Sequence, residues 1–204
     1  MFGRILPTHI RYIAGIDEAG RGPLAGPVSV GIVVVPITMG NHIEQSLEGI
    51  RDSKALSPQK RSWWRSEAAH LSKKNVIESA TALVGSSYID KEGIVSAIHL
   101  GISRVITRLA ISPQNTLVLL DGGLKAPHVF RFQETIVRGD SKEPLISLAS
   151  ILAKERRDIY MINLAPRLPE YAFEQHKGYG TSDHIKRIKK YGMSPIHRKD
   201  FVHL

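Results

Sequence analysis

The period of apolar and polar positions changes along this chain in a way that separates strands from helices. Residues 12–16 are apolar and run into the acidic pair Asp17 and Glu18, and a turn rich in glycine and proline, residues 20–27, leads into the Val/Ile-rich run 28–35. That pattern predicts two strands joined by a tight connection. Ser57 before Pro58 places a capping hydroxyl ahead of a proline at the first helical position, which predicts a helix through residues 59–71 with a basic exposed face. Residues 75–84 read as a third strand. Ile94, Ile98, Ile102, Val105, Ile106 and Leu109 then recur at helical spacing and predict a long core helix over 89–109. Residues 116–120 are wholly apolar, as expected of a strand buried on both faces, and the run ends at Asp121-Gly122-Gly123. A fifth strand is expected over 129–137, before Gly139-Asp140, and residues 145–162 return to helical spacing. Near the end, Thr181 can cap a short basic helix over 183–190. Strands paired first as hairpins and then alternating with helices predict an α/β domain with a mixed five-stranded sheet flanked by helices.

Length and composition narrow what such a domain does. The chain has 204 residues without repeats or low-complexity segments, so one domain over 1–204 is expected. There are 28 Lys and Arg against 19 Asp and Glu, and the formal charge of +9 favours contact with a polyanion such as nucleic acid. The absence of cysteine excludes disulfides, thiolate metal sites and cysteine nucleophiles, so any metal must sit on oxygen or imidazole. It also fits a reducing compartment, and a cytoplasmic location is expected. The longest apolar stretch, residues 28–37, contains Gly31 and Pro36 and is roughly half the length of a spanning helix, so no membrane span is expected. Nor does the N-terminus carry the uninterrupted apolar stretch of a secretory signal.

Three of the expected strands end at, or run into, acidic residues: Asp17 with Glu18, Asp121, and Asp140 after a short turn. Taken singly, each reads as an ordinary turn residue or helix cap. Together they suggest a shared site, because active sites of α/β folds collect at the carboxyl ends of strands. Carboxylates gathered closely raise one another's pKa unless a cation neutralises them. Hard oxygen ligands without cysteine favour Mg2+ or Mn2+ over zinc, and such ions suit phosphodiester hydrolysis without a protein nucleophile. His176, His184 and His197 have no spacing that compels a zinc site. Trp63 and Trp64 lie on the expected basic helix with Arg61 and Arg65; core packing of one ring is expected rather than stacking on bases.

The stretch Ile13-Ala-Gly-Ile-Asp17-Glu18-Ala-Gly-Arg-Gly-Pro-Leu-Ala-Gly-Pro-Val28 closely resembles the opening signature of the ribonuclease HII family. Further matches follow in family order: Asp52-Ser53-Lys54 with Leu56-Ser57, Asp121-Gly122, Gly139-Asp140, residues 149–154 (Ala-Ser-Ile-Leu-Ala-Lys), His176-Lys177-Gly178-Tyr179-Gly180-Thr181 and Pro195-Ile196-His197-Arg198. They span almost the whole chain. The resemblance implies a ribonuclease H-like fold and assigns the catalytic, metal-holding carboxylates to Asp17, Glu18, Asp121 and Asp140. It implies that the Gly20-Arg21-Gly22 loop lies along the nucleic-acid backbone and senses the ribose 2′-hydroxyl. That is physically reasonable, since glycines let main-chain groups approach closely and the 2′-hydroxyl both donates and accepts. Tyr179 matches the family tyrosine that packs on the deoxyribose following the last ribonucleotide. Lys54 and Lys177 are candidate phosphate contacts, and residues 165–204 are expected to contribute further substrate contacts.

Asp158 competes for the fourth acidic place, but its helical setting beside Arg156 and Arg157 favours an ion pair or a structural hydrogen bond. His197 and Arg198 support either the site or the fold. Departures from the family pattern are Arg138, where lysine is frequent, Ser147-Leu148 before Ala149, and an end soon after Phe201. By the resemblance, the expected protein is a monomeric Mg2+- or Mn2+-dependent endonuclease. Its expected substrates are RNA–DNA hybrids and ribonucleotide-containing duplex DNA, and its expected setting is ribonucleotide excision repair. Two alternatives remain: a DNA junction resolvase of the same fold, favoured by cleavage of all-DNA junctions, and a non-catalytic hybrid-binding module.

Overall fold

The computed structural model describes residues 6–50 and 56–203. Among these, the strands are β1 (Tyr12–Ala19), β2 (Val28–Pro36), β3 (Glu78–Val84), β4 (Thr116–Asp121) and β5 (Gln133–Ile136). They form one sheet in the order β3-β2-β1-β4-β5. β1 pairs antiparallel with β2 and parallel with β4, and β4 pairs parallel with β5. The carboxyl ends of β1, β4 and β5 therefore leave the sheet at the same edge, where this class of fold collects its chemistry.

The helices are α1 (Gly40–Ser46), α2 (Pro58–Lys73), α3 (Ser86–Leu109), α4 (Gly139–Lys142), α5 (Pro144–Leu164), α6 (Phe173–His176) and α7 (Ser182–Tyr191). Alternation along β1 sends Ile13 to one face of the sheet and Ala14 and Ile16 to the other. Ile13, Val33, Val35, Leu117 and Leu119 pack under α5 and α2, while Ala14, Ile16, Val30, Val118 and Leu120 pack under α3. With helices on both faces, β2 and β4 are buried along nearly their whole length, which explains their continuous apolar runs. α5 lies against the sheet at main-chain distance: a Cβ added at Gly31 would collide with the Ala149 carbonyl.

Several expected boundaries shift for identifiable reasons. β1 continues through Asp17 and Glu18 to Ala19, because its pairing with β2 extends to Ala19 opposite Ser29. The third strand begins at Glu78 rather than at residue 75, since Asn75 adopts a left-handed φ of 56° and the Val76 N–H closes the end of α2 on the Leu71 carbonyl. The fifth strand shrinks to four residues; the apolar positions that suggested more, Val129 and Val137, are exposed. Asp140 sits in the short α4 rather than in a plain turn. The long helix starts at Ser86 and is interrupted at Gly93, whose φ is 80°. Ser57 caps α2 and Thr181 caps α7 as expected, each side chain accepting a backbone N–H three residues on. Trp64 is buried and Trp63 exposed, their rings 4.6 Å apart.

After α5 the chain folds back beside the 20–27 turn. Ala25, Met161, Ala165, Tyr171 and Phe173 make a small core of their own there. The Leu24 N–H donates to the Gly178 carbonyl at 2.8 Å, the Gly26 N–H to Ile196 at 2.9 Å, and the Arg198 N–H to Leu24 at 2.8 Å. Three segments distant in sequence are thereby laced into one surface.

Candidate active site

Ile16 lies opposite Leu120 in the parallel β1–β4 pairing, so one residue further on Asp17 and Asp121 stand level on neighbouring strands. By alternation both emerge on the face that carries α5. Asp17 is 2% exposed and accepts the Glu18 N–H at 2.7 Å. Burial pushes its carboxyl well above the ordinary range; the Glu18 charge adds to this, a hydrogen bond from the Ser150 hydroxyl opposes it, and Asp121 raises it further. Burial also raises Glu18, against the pull of the Arg21 guanidinium, whose Nε lies 3.3 Å from Oε1. The other oxygen, Glu18 Oε2, is buried with no hydrogen-bond partner among the described residues.

These carboxylates line a cavity of about 490 Å³ together with Ala19, Gly20, Arg21, Gly22, Arg61, Ser150, Lys154 and Tyr179. Asp140 is not on its wall. It is buried behind it, its N–H donating to Asp121 Oδ1 at 3.2 Å, while the Ser147 hydroxyl donates to the Asp140 carbonyl at 2.5 Å. Ser147, one of the departures from the family pattern, thus anchors the turn that carries Asp140. Among the described residues, no three His, Asp or Glu side chains are drawn together tightly enough to form a metal cage.

The opposite wall is basic and braced by acids. Arg61 pairs with Glu155 at 3.2 Å and Asp158 at 3.6 Å, and Lys154 pairs with Asp158 at 2.8 Å. Asp158 is therefore engaged in ion pairs, with Lys154 and Arg61 rather than with its neighbours Arg156 and Arg157. Arg61, Ser150 and Lys154 were not singled out as site residues by sequence reasoning. The matching 149–154 stretch held a signal for Ser150 and Lys154, whereas nothing local marks Arg61, which reaches the site only because α2 packs beside α5.

Gly20 has a φ of +93°, and a Cβ there would collide with the Arg157 side chain. Arg157 and Arg198 are both 0% exposed. Tyr179 is exposed at the cavity rim, with Lys154 Nζ 5.1 Å and Arg157 Cζ 5.5 Å from its ring centre. Lys177 lines an adjoining cavity of about 450 Å³ that shares Arg61, Lys154 and Tyr179 with the first. Its ammonium folds back onto the carbonyls of Glu174 and Gln175. Lys54 lies outside the described residues.

A mixed five-stranded sheet with carboxylates at the ends of two parallel central strands defines the class of α/β enzymes with the ribonuclease H-like fold. The family model described as Ribonuclease HII matches residues 14–204. A ribonuclease HII of Endomicrobium trichonymphae is 43% identical over 189 residues, 93% of this chain and 84% of that one. The chain belongs to the ribonuclease HII family and is a ribonuclease H endonuclease. Among solved structures, the complex of PCNA with ribonuclease HII from Archaeoglobus fulgidus superposes with a TM-score of 0.74 at 20% identity, covering 94% of this chain and 96% of that one. Bst ribonuclease HIII in complex with Mn2+ gives a TM-score of 0.61 at 16% identity, covering 89% and 63%.

Proposed function

We propose that this endonuclease hydrolyses the RNA strand of RNA–DNA hybrids and incises duplex DNA on the 5′ side of embedded ribonucleotides, leaving 5′-phosphate and 3′-hydroxyl ends. The observation that carries the reading is that Asp17, Glu18 and Asp121 share one cavity with the Gly20-Arg21-Gly22 loop and Tyr179. Reactive carboxylates, a ribose-height main chain and a flat ring thus face one nucleic-acid strand.

Asp17, Glu18, Asp121 and Asp140 would hold Mg2+ or Mn2+. The residues fit such an ion: the donors are hard oxygens, one of them buried without a hydrogen-bond partner among the described residues, and burial disfavours the charged state of Asp17. A complete protein cage is not required, because magnesium keeps waters and substrate oxygens in its shell. Bound there, the ion supplies positive charge against the phosphate as negative charge develops on it. The chain's own groups do the rest. Gly20 and Gly22 let main-chain groups reach the 2′-hydroxyl, the one group that tells ribose from deoxyribose. Arg21, Lys154 and Arg61 attract and orient phosphates. The Tyr179 ring favours a sugar without the 2′-hydroxyl on the 3′ side of the last ribonucleotide. Lys177 and the rest of residues 165–204 extend the contact, within a single catalytic domain that acts as a monomer in the cytoplasm.

The test is a labelled duplex carrying one ribonucleotide, compared with a uniform hybrid, an all-DNA duplex and an all-DNA junction. Cleavage of the first two on the 5′ side, dependent on Mg2+ or Mn2+, is expected. Failure to cut the single-ribonucleotide duplex would remove the incision reading, and cutting all-DNA junctions would replace it.

A further inference from the structure

The cavity has two specificity elements, the 20–22 loop and the Tyr179 ring, on segments about 160 residues apart. A junction between ribose and deoxyribose is read correctly only if the spacing between them is held. The proposal rests on the junction reading above. We propose that His197 and Arg198, adjacent in the chain, are a positioning pair that locks these two elements at a fixed separation.

Arg198 serves the first element. Its Nη2 donates to the Gly20 carbonyl at 2.7 Å, its Nη1 to Arg21 at 2.9 Å and its Nε to Gly26 at 3.0 Å. Among the described residues no carboxylate is hydrogen-bonded to it; the loop's carbonyl dipoles hold the buried guanidinium. A fork with donors at fixed angles imposes one arrangement on the three carbonyls, which a lysine cannot reproduce. Turning those carbonyls inward sets how the 20–22 main chain presents itself to the strand in the cavity.

His197 serves the second element through a relay whose proton positions follow from its ends. The Ser194 N–H donates to His197 Nδ1 at 2.8 Å, so that nitrogen is an acceptor and the ring proton is on Nε2. His197 Nε2–H then donates to His184 Nε2 at 3.0 Å. His184 carries its own proton on Nδ1 and donates it to the Tyr179 carbonyl at 2.9 Å. His176 caps the loop from the other side: it accepts the Gly178 N–H at Nδ1, 3.1 Å away, and its ring stacks on His184 at 4.2 Å. The relay works only with neutral rings, and burial lowers all three histidine pKa values, that of His184 to about 4. The pair itself is fastened to the loop, the His197 segment bridging Ala25 and the Arg198 N–H donating to Leu24. No side chain of the pair lines the reactive cavity, so both act through Gly20, Arg21 and Tyr179.

A double-mutant cycle on the single-ribonucleotide duplex tests this. His197→Asn keeps a polar group near Nδ1 but removes the donor to His184; His197→Gln keeps an N–H near Nε2. We expect His197→Asn to lower kcat/KM roughly 10- to 100-fold when Tyr179 is present, as misplacement by about 1 Å does. In a Tyr179→Ala background the loss should shrink to roughly 3-fold or less, and His197→Gln should restore most activity. Arg198→Lys should lower the preference for the single-ribonucleotide duplex over an all-DNA duplex by a similar factor, with the Mg2+ concentration for half-maximal rate unchanged. Equal losses from His197→Asn in both backgrounds, or full discrimination in Arg198→Lys, would overturn the proposal. If His197→Asn fails to fold, the Arg198→Lys comparison decides it alone. Wild-type protein that leaves the duplex uncut strikes at the junction reading; wild-type cleavage with an additive cycle strikes only at the positioning pair.

Discussion

Asp17 is nearly sealed from solvent beside Glu18 and Asp121, so the fold holds negative charge where burial disfavours it. Its folded pKa lies above the unfolded value of 3.8; the folded state therefore binds its proton more tightly, and this part of the stability is lost as pH rises through the raised pKa. A divalent cation should offset that loss. At neutral pH, Mg2+ is expected to raise the melting temperature by several degrees, and Asp17→Asn should raise it without Mg2+ while abolishing the response to the ion, as followed by calorimetry. Asp121→Asn should lower kcat at least about 10³-fold yet bind a hybrid within a few-fold of wild type, measured by fluorescence anisotropy; loss of binding in step with cleavage would point to a collapsed site instead. At this scale the placing of Asp17, Glu18 and Asp121 was legible because strand ends are legible, whereas that of Asp140, in α4, was not. Arg61, by contrast, enters the site through helix packing that no local pattern records.

At the scale of elements, α5 joins the two halves of the site. Its packing on β2 depends on Gly31, where any side chain meets the Ala149 main chain. Gly31→Ala is expected to cost about 1–3 kcal/mol by overpacking, read as a lower urea midpoint with an unchanged m-value. The lengths of α2, α5 and α7 followed from caps and periodicity because Ser57, Thr181 and the apolar stripe of α5 act within a turn or two of themselves. β5 and α4 did not follow. Val129 and Val137 match a strand pattern but face solvent, and the backbone at Arg138 turns left-handed to carry Asp140 behind Asp121. Such choices are settled by neighbours in space.

Across the whole molecule, 28 basic residues against 19 acidic ones set an attraction for nucleic acid that salt screens. Affinity for a hybrid should fall linearly with the logarithm of salt concentration, and a flat dependence would contradict phosphate contact by this charge. The neutral histidine group gives a second global signature. His184 titrates near 4 when folded and 6.5 when unfolded, so the stability it contributes is complete above about pH 6.5 and lost as pH falls toward 4. Because protonation of Asp17 acts in the opposite direction, the difference is the readout: without divalent cations, the thermal unfolding midpoint of the wild type should fall relative to that of His184→Phe through that window. The sequence by itself determined the class of fold, the order of the elements and the candidate acids. Each rests on short-range rules: period, capping, and a contiguous signature from residue 13 to residue 28. Only the tertiary structure decided which of those acids share a wall, which cations face them, and how the 20–22 loop, Tyr179 and the His197-Arg198 pair come to be one surface. Many of those contacts join residues far apart in the chain, as Asp17 with Asp121 and Arg198 with Gly20, and burial, strand register and hydrogen-bond closure in three dimensions select them.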